Sequence, residues 1–190
     1  MSGKRSRRLG VDDWRAAALE ALAEGGVAAV AIEPLARALG VTKGSGYWHF
    51  QSRDELLAAA LDEWERKTTV EVITRLEALE QPRDRLIALF RGAFGSTLDS
   101  RVYVALAGVD QTPVVAAALQ RAAKRRLGFL RDCFEQMGNA PERAQQRAVI
   151  AYAAYLGVVM LKRHAAGALR ARDRQALVET LIETFVGAEG

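Results

Sequence analysis

The segment Thr42-Lys43-Gly44-Ser45-Gly46-Tyr47-Trp48-His49 brings hydroxyl, ammonium, phenol and imidazole donors together within eight residues. Such groups suit phosphate oxygens and the polar edges of bases. Gly44 has no side chain to keep the backbone away from a duplex, and Arg53 adds a guanidinium shortly after. Ser45 and His49 lie four residues apart and could form a nucleophile–base pair. No acid is placed to orient the imidazole, however, and no oxyanion hole is indicated, so the residues do not read as catalytic. The chain has no nucleotide-binding loop and no Cys/His cluster at metal-ligand spacing, and Cys133 is its single cysteine. No enzyme, metal site or cofactor is therefore expected.

Donors of this kind must be held rigidly to read anything, and the flanking residues supply the frame. Pro34 fits the first turn of a short helix, Pro34 to Leu39, and Gly40 suits the position that stops it. Thr42 stands where it can cap a second short helix ending near Phe50. Ala36 is small enough for the two helices to approach closely. This is the pattern of a helix-turn-helix between about residues 31 and 50, whose second helix offers its residues to the major groove. Within it Phe50 is expected to be buried, and Tyr47 and Trp48 partly exposed. An earlier helix carries Trp14, Ala17, Ala18, Ala21 and Leu22 and is expected to end at Gly25-Gly26. A capping box, Ser52 with Glu55, opens a long helix bearing Leu57, Leu61, Trp64, Val72, Leu76 and Leu79, which Gln81-Pro82 breaks.

At these residues the chain resembles the TetR/AcrR family of bacterial one-component transcriptional regulators. The signature covers about residues 11 to 65 and runs through Leu35-Ala36-Arg37-Ala38-Leu39-Gly40 and the segment after it into Ser52-Arg53-Asp54-Glu55-Leu56-Leu57. The resemblance implies that Lys43, Tyr47, Trp48, His49 and Arg53 touch the DNA backbone, and that Thr42 and Ser45 meet phosphate or a base edge. It also implies a dimer formed by the last two long helices and a body that holds a small apolar effector. The implied function is a cytoplasmic repressor released from a palindromic operator by that effector. The chain departs from the family in two places. Ala31 replaces a common Thr that caps the first helix of the motif, and Gly46 replaces an apolar anchor. By helix propensity alone, Gly46 costs about 1 kcal/mol relative to Ala and loosens the recognition helix.

The whole chain reads as all-α, with 190 residues, half of them hydrophobic and 26% charged. A three-helix head with its helix-turn-helix (residues 8–68) is joined by the long fourth helix to a helical effector-binding and dimerisation body (69–190). No apolar run approaches the roughly 20 residues of a membrane span, and no secretory leader is recognised. The net charge of +4 equals the charge of the arm Lys4, Arg5, Arg7 and Arg8, which leaves 23 basic and 23 acidic residues elsewhere. Placement rather than pI is thus the argument for nucleic acid. The arm reads equally as a segment that follows the DNA backbone or as a solubilising terminus.

Beyond Pro82, helices are expected over about Asp84 to Thr97, Arg101 to Ala107, Pro141 to Ala166 and Asp173 to Val186. A further one starts at Asp110-Gln111-Thr112-Pro113 and is stopped by Gly138-Asn139-Ala140-Pro141. Aromatics at Phe90, Phe94, Tyr103, Phe129, Phe134, Tyr152 and Tyr155 are candidates for an effector cavity, though any helical core needs aromatics too. Ala151, Tyr155, Val158 and Val159, with Leu177, Leu181 and Phe185, suggest a homodimer through residues 141–187. Arg121, Lys124, Arg125 and Arg126 read first as a solvated face and second as a site for an anionic effector. Cys133 falls on an apolar stripe, and His164 lies near a helix end. The long helix from Arg53 to Leu79 is then the only rigid lever from head to body. Two other functions remain, a helix-turn-helix that contacts protein and an enzyme. The donors at Thr42 and Lys43 favour DNA over a protein partner, and the missing nucleophile–base pair, metal set and nucleotide loop weigh against an enzyme.

Overall fold

The computed structural model describes residues 9–94, 97–106, 112–164 and 171–187. Every regular element among them is helical. Helix α1, Val11–Ala29, starts with Asp12 and Asp13 at its positive end, and the Asp13 carboxylate accepts the Gly10 N–H at 2.8 Å. The helix does not end at Gly25-Gly26. Gly26 takes φ +70°, which kinks the axis, and one further turn runs to Ala29. Only glycine adopts that φ without strain, and its backbone passes the Ala105 carbonyl there. Buried Val27 and Val30 hold the resumed turn in place.

Helix α2 is Ile32–Ala38 and helix α3 is Lys43–His49. Between them Gly40, at φ +70°, donates to Arg37 O, and Val41 donates to Ala36 O at 2.9 Å. This pair of bonds satisfies the last carbonyls of α2 and turns the chain sharply. Helix α4, Arg53–Glu65, is followed without interruption by a π-helical turn, Arg66–Val70, and by α5, Glu71–Glu77. The expectation of one regular helix is corrected here. Trp64 and Val72 are eight residues apart, and at roughly 100° per residue that spacing overshoots two turns by about 80°. The wider turn absorbs the excess, so Trp64 and Leu76 both face inward.

The body contains α6 (Pro82–Ala93), α7 (Thr97–Leu106), α8 (Pro113–Gln136), α9 (Pro141–His164) and α10 (Ala171–Val186). Helix α6 starts at its own Pro82, where the missing N–H is not needed, and stops at Ala93. Thr112 caps α8 by accepting the Val115 N–H. The basic arm, Asp110-Gln111, Ala166 and Gly167 lie outside the described residues. One buried cluster joins Trp14, Leu22 and Phe50 of the head to Val102, Leu106, Val115 and Val159 of the body. A second is confined to the body, around Phe90, Phe129, Phe134 and Phe185. Head and body therefore share a core, and the boundary expected at residue 68 falls inside the π turn.

Helix α7 packs beside α1, and Arg101 pairs with Glu20 at 2.8 Å. The long helix is thus not the only connection between body and head. On α9, Ala151, Val158 and Val159 are buried within the protomer rather than presented outward. The outward stripe is Gln146, Ile150, Ala153, Gly157 and Leu161. Val178, Ile182 and Phe185 of α10 are likewise part of the protomer's own core.

Candidate nucleic-acid interface and the cavity behind it

Helix α3 has only seven residues, too few to be stable alone, so its inner face must be well seated. Gly46 and Phe50 provide that face. A Cβ at Gly46 would lie 2.6 Å from both Trp14 Cη2 and Ile32 Cγ2. Gly46 is therefore no loose point in the helix, and the expectation from propensity is corrected. The Trp14 indole occupies the space that a side chain at position 46 would need, and Trp14 is fully buried. Phe50 meets the same indole edge to face at 6.4 Å.

The outer face of α3 is exposed. Tyr47 is 51% and Trp48 78% accessible, and Thr42, Lys43 and Gly44 are also at the surface. Ser45 and His49 are half-buried, and the His49 ring lies 4.7 Å from that of Trp48. A 78% exposed tryptophan has no packing role in the protomer, and its flat apolar face is costly in water. Thr42 occupies the N-cap but accepts no capping bond through its side chain, and the Ser45 N–H goes to Thr42 O instead. Ala31 provides no side-chain cap to α2. Lys43 reaches back to Glu33 at 3.3 Å, an exposed pair of little strength.

Arg53 is the exception among the expected contacts. Its Nε donates to Val30 O at 2.9 Å and its Nη2 to Val27 O at 2.6 Å. It ties the end of α1 to the start of α4, a structural task beside any contact with phosphate. Ser52 Oγ accepts the Glu55 N–H at 3.1 Å, while the Glu55 carboxylate reaches Gln51 N at 2.7 Å. The expected capping box is thus displaced by one residue on its return arm.

Behind the head, α5 to α9 enclose a cavity of about 430 Å³. Phe90, Phe94, Phe129, Tyr152 and Tyr155 line it, with Val72, Leu76 and Leu130. Tyr103 and Phe134 do not. Tyr103 lies edge-on to Trp64, and Phe134 packs against Phe185 with the Arg147 guanidinium over its ring.

The floor of the cavity is a buried polar network. Asp99 accepts the Trp64 indole N–H at 2.7 Å, both terminal nitrogens of Arg126 at 3.0 Å each, and the Tyr155 hydroxyl. Arg126 also donates to Thr69 Oγ1 at 2.9 Å and to the hydroxyl and carbonyl of Thr68. Its guanidinium stacks 5.5 Å from the ring centres of Trp64 and Tyr103. Thr68 Oγ1 in turn donates to Trp64 O at 2.8 Å, inserting a side chain into the ladder where the π turn opens. Arg121 and Arg125 pair with Glu65, and Arg121 also with Asp62.

The basic run divides. Arg121, Lys124 and Arg125 are exposed, as a solvated face has them, with Arg121 and Arg125 also bracing α8 against α4. Arg126 instead turns into the floor of the cavity. Asp99, Thr68 and Thr69 were not anticipated from the sequence, and Arg126 only as a member of the basic run. The Cys133 thiol is buried, and desolvation pushes its pKa up to about 11. No group of metal-ligating side chains occurs among the described residues. None of the described helices is long and apolar enough to cross a membrane.

Residues 15–60 match the family described as bacterial regulatory proteins, tetR family. No curated protein matches the chain in sequence at a significant level. Among solved structures, a TetR-family transcriptional regulator from Agrobacterium tumefaciens superposes with a TM-score of 0.75 at 19% identity. It covers 92% of this chain and 96% of its own. E. coli NemR in its reduced form gives 0.73 at 17% identity over 90% and 94%. The fatty acid degradation regulator FadR from Bacillus halodurans gives 0.72 at 17% over 95% and 100%. These likenesses establish the fold, and the matched segment lies within the head and takes in Gly46 and Phe50. The head thus matches the tetR family in its own sequence, and the chain as a whole shares the helical fold of the solved regulators.

Proposed function

We propose that this chain is a tetR-family transcriptional regulator, a homodimeric repressor that grips a palindromic operator and leaves it when a small molecule fills the cavity. The observation that carries the DNA reading is the outer face of α3, where Tyr47 and Trp48 stand exposed beside Lys43 while Gly46 and Phe50 anchor the opposite face. Lys43, Tyr47, Trp48 and His49 would hold phosphates, and Thr42 and Ser45 would reach base edges with Gly44 allowing close approach. Arg53 would meet the backbone with whatever donors its carbonyl bonds leave.

Dimerisation is supported by the outward stripe of α9, on which Ile150 is 58% and Leu161 46% exposed. The small Ala153 and Gly157 between them permit close approach of a partner helix. Pairing through residues 141–187 would set two recognition helices about 34–36 Å apart for successive major grooves. A ligand in the cavity would press on the π turn and on α7, both of which lead to the head. The cytoplasm is the compartment where such a protein would meet operator DNA.

The test is selection of genomic fragments by the purified protein, followed by binding at graded salt and a reporter assay. The reading expects a palindromic site, a steep fall of affinity with salt, and lower reporter output with the protein present. A salt-independent interaction would instead support docking onto a protein.

A further inference from the structure

We infer that the cavity takes an uncharged, mainly apolar molecule seated through a carbonyl-type hydrogen-bond acceptor on the Tyr152 hydroxyl. The inference rests on the effector reading above and adds the ligand's chemical class.

The argument comes from the protons of the floor. Arg126 has five N–H groups, and its bonds to Thr69, Asp99, Tyr103 and Thr68 engage all of them. Asp99 is occupied by Trp64, Arg126 and Tyr155, and its charge cancels that of Arg126. A ligand carboxylate brought to this floor would find no spare N–H, and a ligand ammonium no spare carboxylate. Either charge would lose its hydration without replacement.

The tyrosines decide what remains. Burial pushes the Tyr103 and Tyr155 hydroxyls well above their ordinary pKa, so both keep their protons. Tyr155 donates to Asp99. Tyr103 Oη accepts from Arg126 at 3.3 Å and lies 2.6 Å from Tyr152 Oη. If Tyr103 did not donate across that short contact, its buried proton would have no partner among the described residues, which is costly. Tyr103 therefore donates to Tyr152, which leaves the Tyr152 proton over. The Thr69 hydroxyl, which accepts from Arg126, also keeps a proton with no partner among the described residues, but at 1% exposure it is the less accessible of the two. Tyr152 is half-buried and lines the cavity, whereas Tyr103 does not. Two further cations line the cavity, but Lys67 is paired with Glu63 at 3.1 Å and Arg75 is exposed to solvent. A cavity of about 430 Å³ with aromatic and aliphatic walls suits a molecule of a few rings.

Three isosteric probes test this on the full-length protein by titration calorimetry at pH 7: 2-acetylnaphthalene, 2-naphthoate and 2-ethylnaphthalene. The ketone is expected to bind at least tenfold more tightly than the anion and about fivefold more tightly than the hydrocarbon. Tyr152→Phe should lower ketone affinity about fivefold while leaving the hydrocarbon unchanged, which also shows that the cavity is intact. Naphthoate binding as tightly as the ketone, and losing affinity in Arg75→Ala, would overturn the proposal in favour of anion capture at the mouth. Equal binding of ketone and hydrocarbon, or no effect of Tyr152→Phe on the ketone, would overturn the donor assignment. Binding of none of the three overturns the ligand class. Operator binding measured on the same preparation separates that failure from failure of the DNA-binding reading.

Discussion

Replacing Gly46 by alanine sets two physical effects against each other. By intrinsic propensity the change should favour α3 by about 1 kcal/mol. The structure opposes it, because the new methyl would sit 2.6 Å from both Trp14 Cη2 and Ile32 Cγ2. Neither neighbour has room to retreat, since Trp14 is 0% and Ile32 4% exposed. Overpacking a well-filled core costs about 1–3 kcal/mol, and two simultaneous contacts belong in the upper half of that range. The net expectation is a loss of about 1–2 kcal/mol, or roughly 2–8 °C in Tm for a chain of this size. The strain falls directly beneath the exposed face of α3, so operator affinity should drop as well. Gly46→Ala is to be melted and titrated with operator beside Trp14→Phe and the double variant. Phenylalanine lacks the far edge of the indole, so the double variant should recover part of the loss, with a coupling of about 0.5–3 kcal/mol. A Gly46→Ala protein that melts no lower than the parent and binds operator equally well would refute the packing argument.

Lys43→Ala should weaken binding to all DNA sequences and reduce the salt slope by roughly one phosphate, measured by binding at graded salt. Arg53→Ala should additionally lower Tm, because the Val30 carbonyl loses its side-chain donor and the Val27 carbonyl keeps only the Val30 N–H; an unchanged Tm would remove its structural role. Asp99→Asn leaves a buried guanidinium without its counter-charge and should cost about 3–5 kcal/mol in denaturant unfolding. Hydrogen bonds from Arg66 hold the Glu63 carboxyl down at about 2, against an ordinary 4.5. Its stabilising contribution is complete above pH 4.5 and is lost as the pH falls toward 2. Glu63→Gln should therefore flatten the acid limb of the stability curve in that window.

The head was legible in the sequence because its signals are local. Pro34, Gly40 and the Ser52–Glu55 pair each fix backbone a few residues away, and helices begin or end near them, although α2 starts at Ile32 rather than Pro34 and α4 stops at Glu65. The seating of Gly46 was not legible, since it depends on an indole 32 positions earlier that only the folded chain brings near. In the body, the spacing did carry information about Arg126. It lies four residues after Ala122 and three and four before Phe129 and Leu130, on the buried stripe of α8. Asp99 stands in the same relation to Val102, Tyr103 and Leu106 on α7. Reading Arg126 with its charged neighbours, rather than by its helical phase, placed it in solvent. The π turn leaves a fainter trace, the eight-residue step from Trp64 to Val72. The outward and inward faces of α9 could not be told apart, because small and apolar residues occupy both.

The core shared between head and body bears on the exchange of reading heads between regulators. Leu57, Leu61 and Trp64 are buried in one cluster with Val102, Leu106, Val115 and Val159. A chimera joined at residue 68 would cut through the π turn and set these side chains against a foreign α7 and α8. It would also strand Arg101 from Glu20, Arg126 from Thr68 and Asp99 from Trp64. A transplant that is to keep its DNA specificity needs a seam drawn through space rather than along the chain, carrying the facing sides of α7 and α8 with the head.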